Sequence, residues 1–179
     1  MYVWLAFDTD KDLLNLKEKC RRIEEDLNLY DVKGTLPFHI SLKISFEVDD
    51  ELFSDIVSDI TLYASKLHKS MVNTLSIGKE GNIVWLRMDE SKYLTEIHNY
   101  LDKFFETKYN VPLNKLDKEY IFHTTLFISD DSELLDKAYE LIKDESYPKT
   151  ISLDKFTIGY SLDGSFASYR VFKEIDLLD

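Results

Sequence analysis

The apolar positions of this chain alternate between strand-like runs and helix-like stripes. Residues 2–7 are continuously apolar and predict a buried strand. Thr9 and Asp10 offer an N-cap. Leu13, Leu16, Cys20, Ile23 and Leu27 then recur at helical spacing and predict an amphipathic helix over 10–28. Gly34-Thr35-Leu36-Pro37 breaks the chain before a glycine-free, β-branched strand over 37–46, with proline at the strand start, where it is tolerated. Asp49 and Asp50 cap a second helix, whose apolar face from Leu52 to Leu67 predicts helix through residue 69. Strands over 71–77 and 83–88, joined by Gly78-Lys79-Glu80-Gly81-Asn82, predict a hairpin. Ser91 opens a third helix bearing Leu94, Ile97, Leu101, Phe104 and Phe105, ended by Asn110-Val111-Pro112 and a polar loop to Glu119. A strand over 120–128 follows. Asp130 and Asp131 then cap a helix bearing Leu134, Leu135, Ala138, Leu141 and Ile142. After Pro148, a strand over 151–160, a turn at 162–165 and a last strand over 166–175 complete the chain.

This order repeats. Helix, strand, helix and hairpin occur twice, and two copies predict a duplicated chain rather than a solenoid, which needs three or more units. No Pro/Gly/Ser-rich linker separates the copies. Residues 1–179 therefore read as one two-lobed domain built from pseudo-symmetric repeats of about 10–88 and 91–175. The expected class is α+β. Each copy supplies most of one mostly antiparallel sheet, backed by outer helices, and a cleft lies between the two.

The strands at the centre of each copy are near-copies themselves. Phe38-His39-Ile40-Ser41-Leu42-Lys43-Ile44-Ser45 matches Phe122-His123-Thr124-Thr125-Leu126-Phe127-Ile128-Ser129, with the histidines 84 residues apart. Side chains two apart on a strand share a face, so each strand aims an imidazole and a hydroxyl together: His39 with Ser41, and His123 with Thr125. Histidine titrates nearest neutrality, so one copy can act as a base while the other acts as an acid. The two hydroxyls can hold the non-bridging oxygens of a tetrahedral centre such as phosphate. Neither motif carries the additional His, Cys or carboxylate ligands that a zinc or iron site wants, so no metal or cofactor is expected.

Several further residues are candidates for the same site. Lys43 and Phe127 stand one step beyond the hydroxyls on the same faces: Lys43 either meets phosphate charge or is a solvated strand-end lysine, and Phe127 reads first as core, with stacking on a base as the alternative. Arg87 and Arg170 occupy corresponding hairpin places, as do Trp85 and Tyr169, and either arginine can pair with phosphate. His68 reads as solvated, His98 as an edge-of-packing residue, and Cys20 as core.

Composition narrows the partner. The 179-residue chain is 44% apolar, ordinary for a globular domain, with a net charge of −12. That charge argues against an extended grip on nucleic acid, which requires basic stripes, but is compatible with a small phosphate held by local donors. One cysteine and no membrane-length apolar run predict a soluble cytoplasmic protein with no membrane partner, expected as a monomer.

Together the two His-x-Ser/Thr strands, their separation and the duplicated pattern resemble the two-histidine (2H) phosphoesterase superfamily, and within it the RNA 2',3'-cyclic phosphodiesterases also called 2'-5' RNA ligases. The likeness spans almost the whole chain. It implies a bilobal fold with a V-shaped cleft and metal-independent phosphoester chemistry. It also implies His39, Ser41, His123 and Thr125 as the catalytic and phosphate-binding set. The first motif carries Ser where many family members carry Thr, and the hydroxyl survives. The implied reaction is opening of a 2',3'-cyclic phosphate on a nucleotide or short RNA end, or the reverse 2'-5' ligation. A module that binds a phosphorylated nucleotide or RNA end without turnover is the alternative, and an interaction domain with relic motifs is a third reading. Near-symmetry leaves open which histidine is the base.

Overall fold

The computed structural model describes residues 1–29, 36–165 and 168–179. In chain order its elements are β1 (Tyr2–Asp8), α1 (Asp10–Leu27), β2 (His39–Glu47), α2 (Phe53–Ala64), β3 (Ser70–Glu80), β4 (Ile83–Met88), α3 (Lys92–Tyr109), β5 (His123–Ile128), α4 (Ser132–Ile142), β6 (Thr150–Leu153), β7 (Lys155–Ser161) and β8 (Arg170–Asp176). Short 3-10 turns cover Asp50–Leu52 and Lys115–Asp117. The described strands form two antiparallel sheets of four, ordered β2-β1-β7-β8 and β5-β4-β3-β6.

Strand alternation sets the layers. Val3, Leu5 and Phe7 of β1 are fully buried, as are Ile40 and Leu42 of β2 and Phe156 and Ile158 of β7. They share one core with the helical stripe Leu13, Leu16, Cys20 and Ile23 of α1. Each such side chain stabilises the fold by about 1.5–3 kcal/mol. α1 packs on α4, and α3 packs on β2. The class is the expected α+β, with helices outside and the opposite sheet faces turned to a central cleft. Cys20 lies in the core as expected.

The sheets do not follow the expected repeat boundaries. The hairpin β3–β4 joins the sheet of the second histidine strand, although it follows the first in sequence. The chain closes the first sheet only at its end, with β7 and β8. The predicted strand over 151–160 is two strands divided at Asp154, one in each sheet, because the chain crosses between sheets there. α2 stops at Ala64 rather than 69, and β3 runs through Gly78 to a tighter turn at Gly81, which takes a left-handed φ of 56°. The predicted break at Gly34-Thr35 and the predicted strand start at Phe166 lie outside the described residues.

One irregularity recurs in both histidine strands. Ser41 pairs with Ala6 and Lys43 with Leu5, so Leu42 is a bulge. Thr125 pairs with Trp85 and Phe127 with Val84, so Leu126 is a bulge at the same place. A bulge resets the alternation by one residue. Lys43 and Phe127 are thereby turned from the cleft into the interior, 1% exposed each. This corrects the expected placement of Lys43 beside the hydroxyl, whether against phosphate or solvated, while Phe127 takes the core place first read for it. Phe127 joins the hydrophobic core. Lys43 donates to Asp102 at 2.8 Å and Asp117 at 3.0 Å.

On the cleft side each sheet packs a tryptophan over a glycine of the neighbouring strand. Trp4 pairs with Gly159 and Trp85 with Gly78. A Cβ at Gly159 would lie 2.0 Å from Trp4 Nε1, and one at Gly78 would lie 2.7 Å from Trp85 Nε1. Glycine is required at both positions by this close approach.

Two outcomes are expected in urea denaturation. Lys43→Met strands two carboxylates against the interior and lowers stability by about 3–5 kcal/mol. Gly159→Ala overpacks Trp4, which is 4% exposed, and costs about 1–3 kcal/mol. An unchanged midpoint in either variant would contradict the packing described.

Candidate active site

β2 and β5 are the edge strands at which the two sheets meet. Each begins at its histidine because the preceding segment supplies the hydrogen-bond partner that fixes the ring. His39 Nδ1 lies 2.8 Å from the carbonyl oxygen of Pro37, and His123 Nδ1 lies 2.7 Å from that of Ile121. The contact is the same in both halves, a ring bound to the carbonyl two residues earlier. A carbonyl accepts, so each Nδ1 donates and carries the ring proton.

A ring from the adjacent strand holds each imidazole from the side. The Trp4 and His39 centroids are 4.8 Å apart, and those of Trp85 and His123 are 4.9 Å apart. Both tryptophans of the chain serve this purpose. The structural counterpart of Trp85 is therefore Trp4, not Tyr169, which the equal sequence offset suggested. Tyr169 instead lies over Trp4 and Ala6 and bonds Ser45. The offset misled because the first sheet draws its central strand from before the repeat.

Ser41 and Thr125 are both partly exposed and stand two residues after their histidines on unbulged segments. Each therefore shares its histidine's face. The structure thus brings each imidazole together with its hydroxyl and sets the two strands side by side. Thr9 Oγ1 and Thr124 Oγ1, 3.4 Å apart, join the halves on the buried side.

The pseudo-symmetry is broken by charge. His39 is opposite Asp8 on β1, whereas His123 is opposite Arg87 on β4. Burial pushes the Asp8 carboxyl above its ordinary range, opposed by the N–H of Asp10. Burial pushes the His123 imidazole down, opposed by its bond to Ile121. Arg87 is the cross-strand neighbour of His123. It faces Glu90 at 3.6 Å, while its buried Nε has no hydrogen-bond partner.

Arg170 does not belong. It pairs with Tyr160, whose ring packs on Phe53 of α2, so it lies on the helix side of β8, at the far edge of the sheet from β2. Its Nη1 donates to the Tyr169 carbonyl. That corrects the expectation that both hairpin arginines reach the cleft. His68 is exposed, bound to the Asp179 carbonyl. His98 is not an edge residue: it is 4% exposed, and both ring nitrogens are engaged. Nothing in its helical spacing distinguished it. Among the described residues no group of three or more His, Cys, Asp or Glu is placed to hold a metal ion. No described helix is long and apolar enough to cross a membrane.

The chain is similar to proteins of known family. The family model described as "2'-5' RNA ligase superfamily" matches residues 10–164. A Bacillus cytotoxicus protein named "Putative phosphoesterase Bcer98_0945" is 30% identical over 138 residues, covering 72% of this chain and 73% of the relative. A "Putative phosphoesterase" of Bacillus cereus strain Q1 is 29% identical over 149 residues, covering 77% and 79%. Among solved structures, TT0787 of Thermus thermophilus superposes with a TM-score of 0.65 at 13% identity, over 98% of this chain and 97% of that one. Escherichia coli LigT complexed with 3'-AMP superposes with a TM-score of 0.57 at 14% identity, over 99% and 98%. Those two likenesses concern the fold. The family match covers both histidine strands and the helices around them, so the chain belongs to the 2'-5' RNA ligase superfamily, the 2H phosphoesterases, and to its phosphoesterase or ligase-like chemistry.

Proposed function

We propose that the protein opens the 2',3'-cyclic phosphate of a nucleotide or short RNA end by acid–base catalysis between His123 and His39, or runs the same step in reverse as 2'-5' ligation. The observation that carries this reading is the pair of imidazoles, each pinned through Nδ1 in the same way and each followed by a hydroxyl two residues on. In the hydrolytic direction His123 Nε2 takes a proton from water as the water oxygen bonds to phosphorus. The bond from phosphorus to the 2' or 3' oxygen breaks. His39 Nε2–H delivers a proton to that leaving oxygen, giving a phosphomonoester and a free hydroxyl. Ser41 and Thr125 donate to the non-bridging oxygens, and the partly exposed guanidinium of Arg87 supplies further donors.

The roles follow from the surroundings. A base must be neutral before the reaction, and burial favours neutral His123. The other histidine, His39, stands opposite Asp8 and is left the role of acid. A phosphorylated nucleotide as substrate agrees with the ligands named for the LigT structures, 3'-AMP, ATP and phosphate. The net charge of −12 favours a small ligand over a long strand.

With EDTA present, hydrolysis of 2',3'-cyclic nucleotides and cyclic-phosphate-ended oligonucleotides is expected to fall by roughly 10²–10⁴-fold in His39→Ala or His123→Ala, followed by chromatography of products. Full-rate turnover in either variant would remove the mechanism. Ligand-induced stabilisation without product would point to a binding module.

The pH dependence of kcat/KM is expected to be bell-shaped. His123 loses activity when protonated, and its imidazole is depressed below the ordinary 6.5. The acidic limb should therefore lie below that value. An acidic limb above it would assign the base elsewhere.

A further inference from the structure

Behind Ser41 lies a buried polar cluster that the proposed chemistry does not use. As an edge strand β2 has one row of backbone groups unpaired within its own sheet, and the bulge at Leu42 lies in that row. The other half of the molecule satisfies them. Tyr120 Oη donates to the Ser41 carbonyl at 3.0 Å. His98 Nδ1 lies 2.8 Å from the Leu42 carbonyl. Asp117 Oδ1 accepts from the Ile44 N–H at 3.2 Å. Lys43, turned inward by the same bulge, closes the cluster on Asp102 and Asp117.

The partners of His98 are unusual in being all acceptors. Nε2 lies 2.9 Å from the Asp117 carbonyl and 3.4 Å from Asp102 Oδ2, while Nδ1 faces the Leu42 carbonyl. A carbonyl oxygen has no hydrogen to give, so both nitrogens must donate, and only the doubly protonated ring does so. The charges agree. On its own helix His98 faces Asp102, and from the 3-10 turn the Asp117 carbonyl, while Lys43 of β2 bridges the carboxylates of those same two aspartates. Two cations then meet two carboxylates in a site with almost no solvent. The uncharged rings against it are Tyr120, stacked at 4.5 Å, and Phe122. Burial raises the Tyr120 phenol, which keeps it a donor.

We propose that His98 is a buried imidazolium and that, with Tyr120, it clasps the Ser41–Leu42 backbone to α3 and to the lead-in of β5, fixing the two half-sites relative to one another. Tyr120 stands three residues before His123, and Ser41 two after His39. One hydrogen bond thus spans from one half-site to the other. His98 and Tyr120 are positioning residues, not catalytic ones. The effect on turnover rests on the phosphoesterase reading; the state of the His98 ring does not.

The test has two arms. In protein labelled with ¹⁵N-histidine, ring-proton correlations at pH 7 should show two protonated nitrogens for His98, assigned by their loss in His98→Gln. An unprotonated nitrogen in that ring would overturn the imidazolium. The second arm uses Tyr120→Phe, which removes only one oxygen and is expected to keep the fold. The ring signals of His39 should move in this variant. With a 2',3'-cyclic nucleotide, kcat should fall roughly tenfold with KM within about twofold, as misalignment without lost binding requires. Unmoved His39 signals, or a change confined to KM, would overturn the clasp. If no cyclic phosphate is turned over, the phosphoesterase reading fails, and the ring signals still decide the clasp.

Discussion

A strand can present an imidazole and a hydroxyl on one face only while its alternation is kept, and both histidine strands here keep it for three residues and then break it. The bulges at Leu42 and Leu126 fall at the same place in the two halves. Everything beyond them is turned over. Lys43 leaves the cleft for the interior, Phe127 enters the core, and the bulged stretch of β2 is left to be satisfied by α3, the turn at Lys115–Asp117 and Tyr120. The device that ends the His39 half-site is thus also what the other half holds.

That dependence explains which parts were legible in the sequence. Period-two alternation and helical stripes are local, so strands, helices, caps such as Asp131 and the pair of His-x-Ser/Thr motifs could be read directly. A bulge is not written in residue types: Leu42-Lys43 and Leu126-Phe127 look like continued alternation, and alternation alone puts Lys43 on the wrong face. Sheet membership is non-local as well. The hairpin β3–β4 lies beside β5 because of how the strands pair, while the repeat in sequence order groups it with β2. Arg170 is misplaced for the same reason, since equal sequence offset is not equal position. His98 and Asp117 sit in a stripe and a polar loop with no signature of their own, and only the packing of α3 on β2 brings them together.

The two histidine strands match in sequence and in how each ring is held, but their surroundings differ. The difference comes from the neighbouring strands. Asp8 stands opposite His39 and Arg87 opposite His123, so residues of opposite charge type occupy matching positions, and burial depresses the His123 imidazole. The backbone bonds to Pro37 and Ile121 are common to both halves and fix orientation, while the cross-strand residues differ. Orientation is inherited from the repeat; polarity is not.

The same accounting of charge bears on the substrate. Lys43 is neutralised by two aspartates and Arg170 is on the far side of its sheet, which leaves the cleft poorer in fixed cations than the sequence suggested. Arg87 is itself shared with Glu90. A site of this kind relies on hydroxyls and imidazole N–H groups, which suit a single negative charge better than a double one. A cyclic phosphodiester carries one charge, whereas the monoester formed when it opens carries nearly two at neutral pH. In the proposed reaction the ligand leaves the chemical step as a monoanion and takes on its second charge when the new P–OH group ionises. In a chain of net charge −12 that step weakens the hold on product relative to substrate and favours release after ring opening.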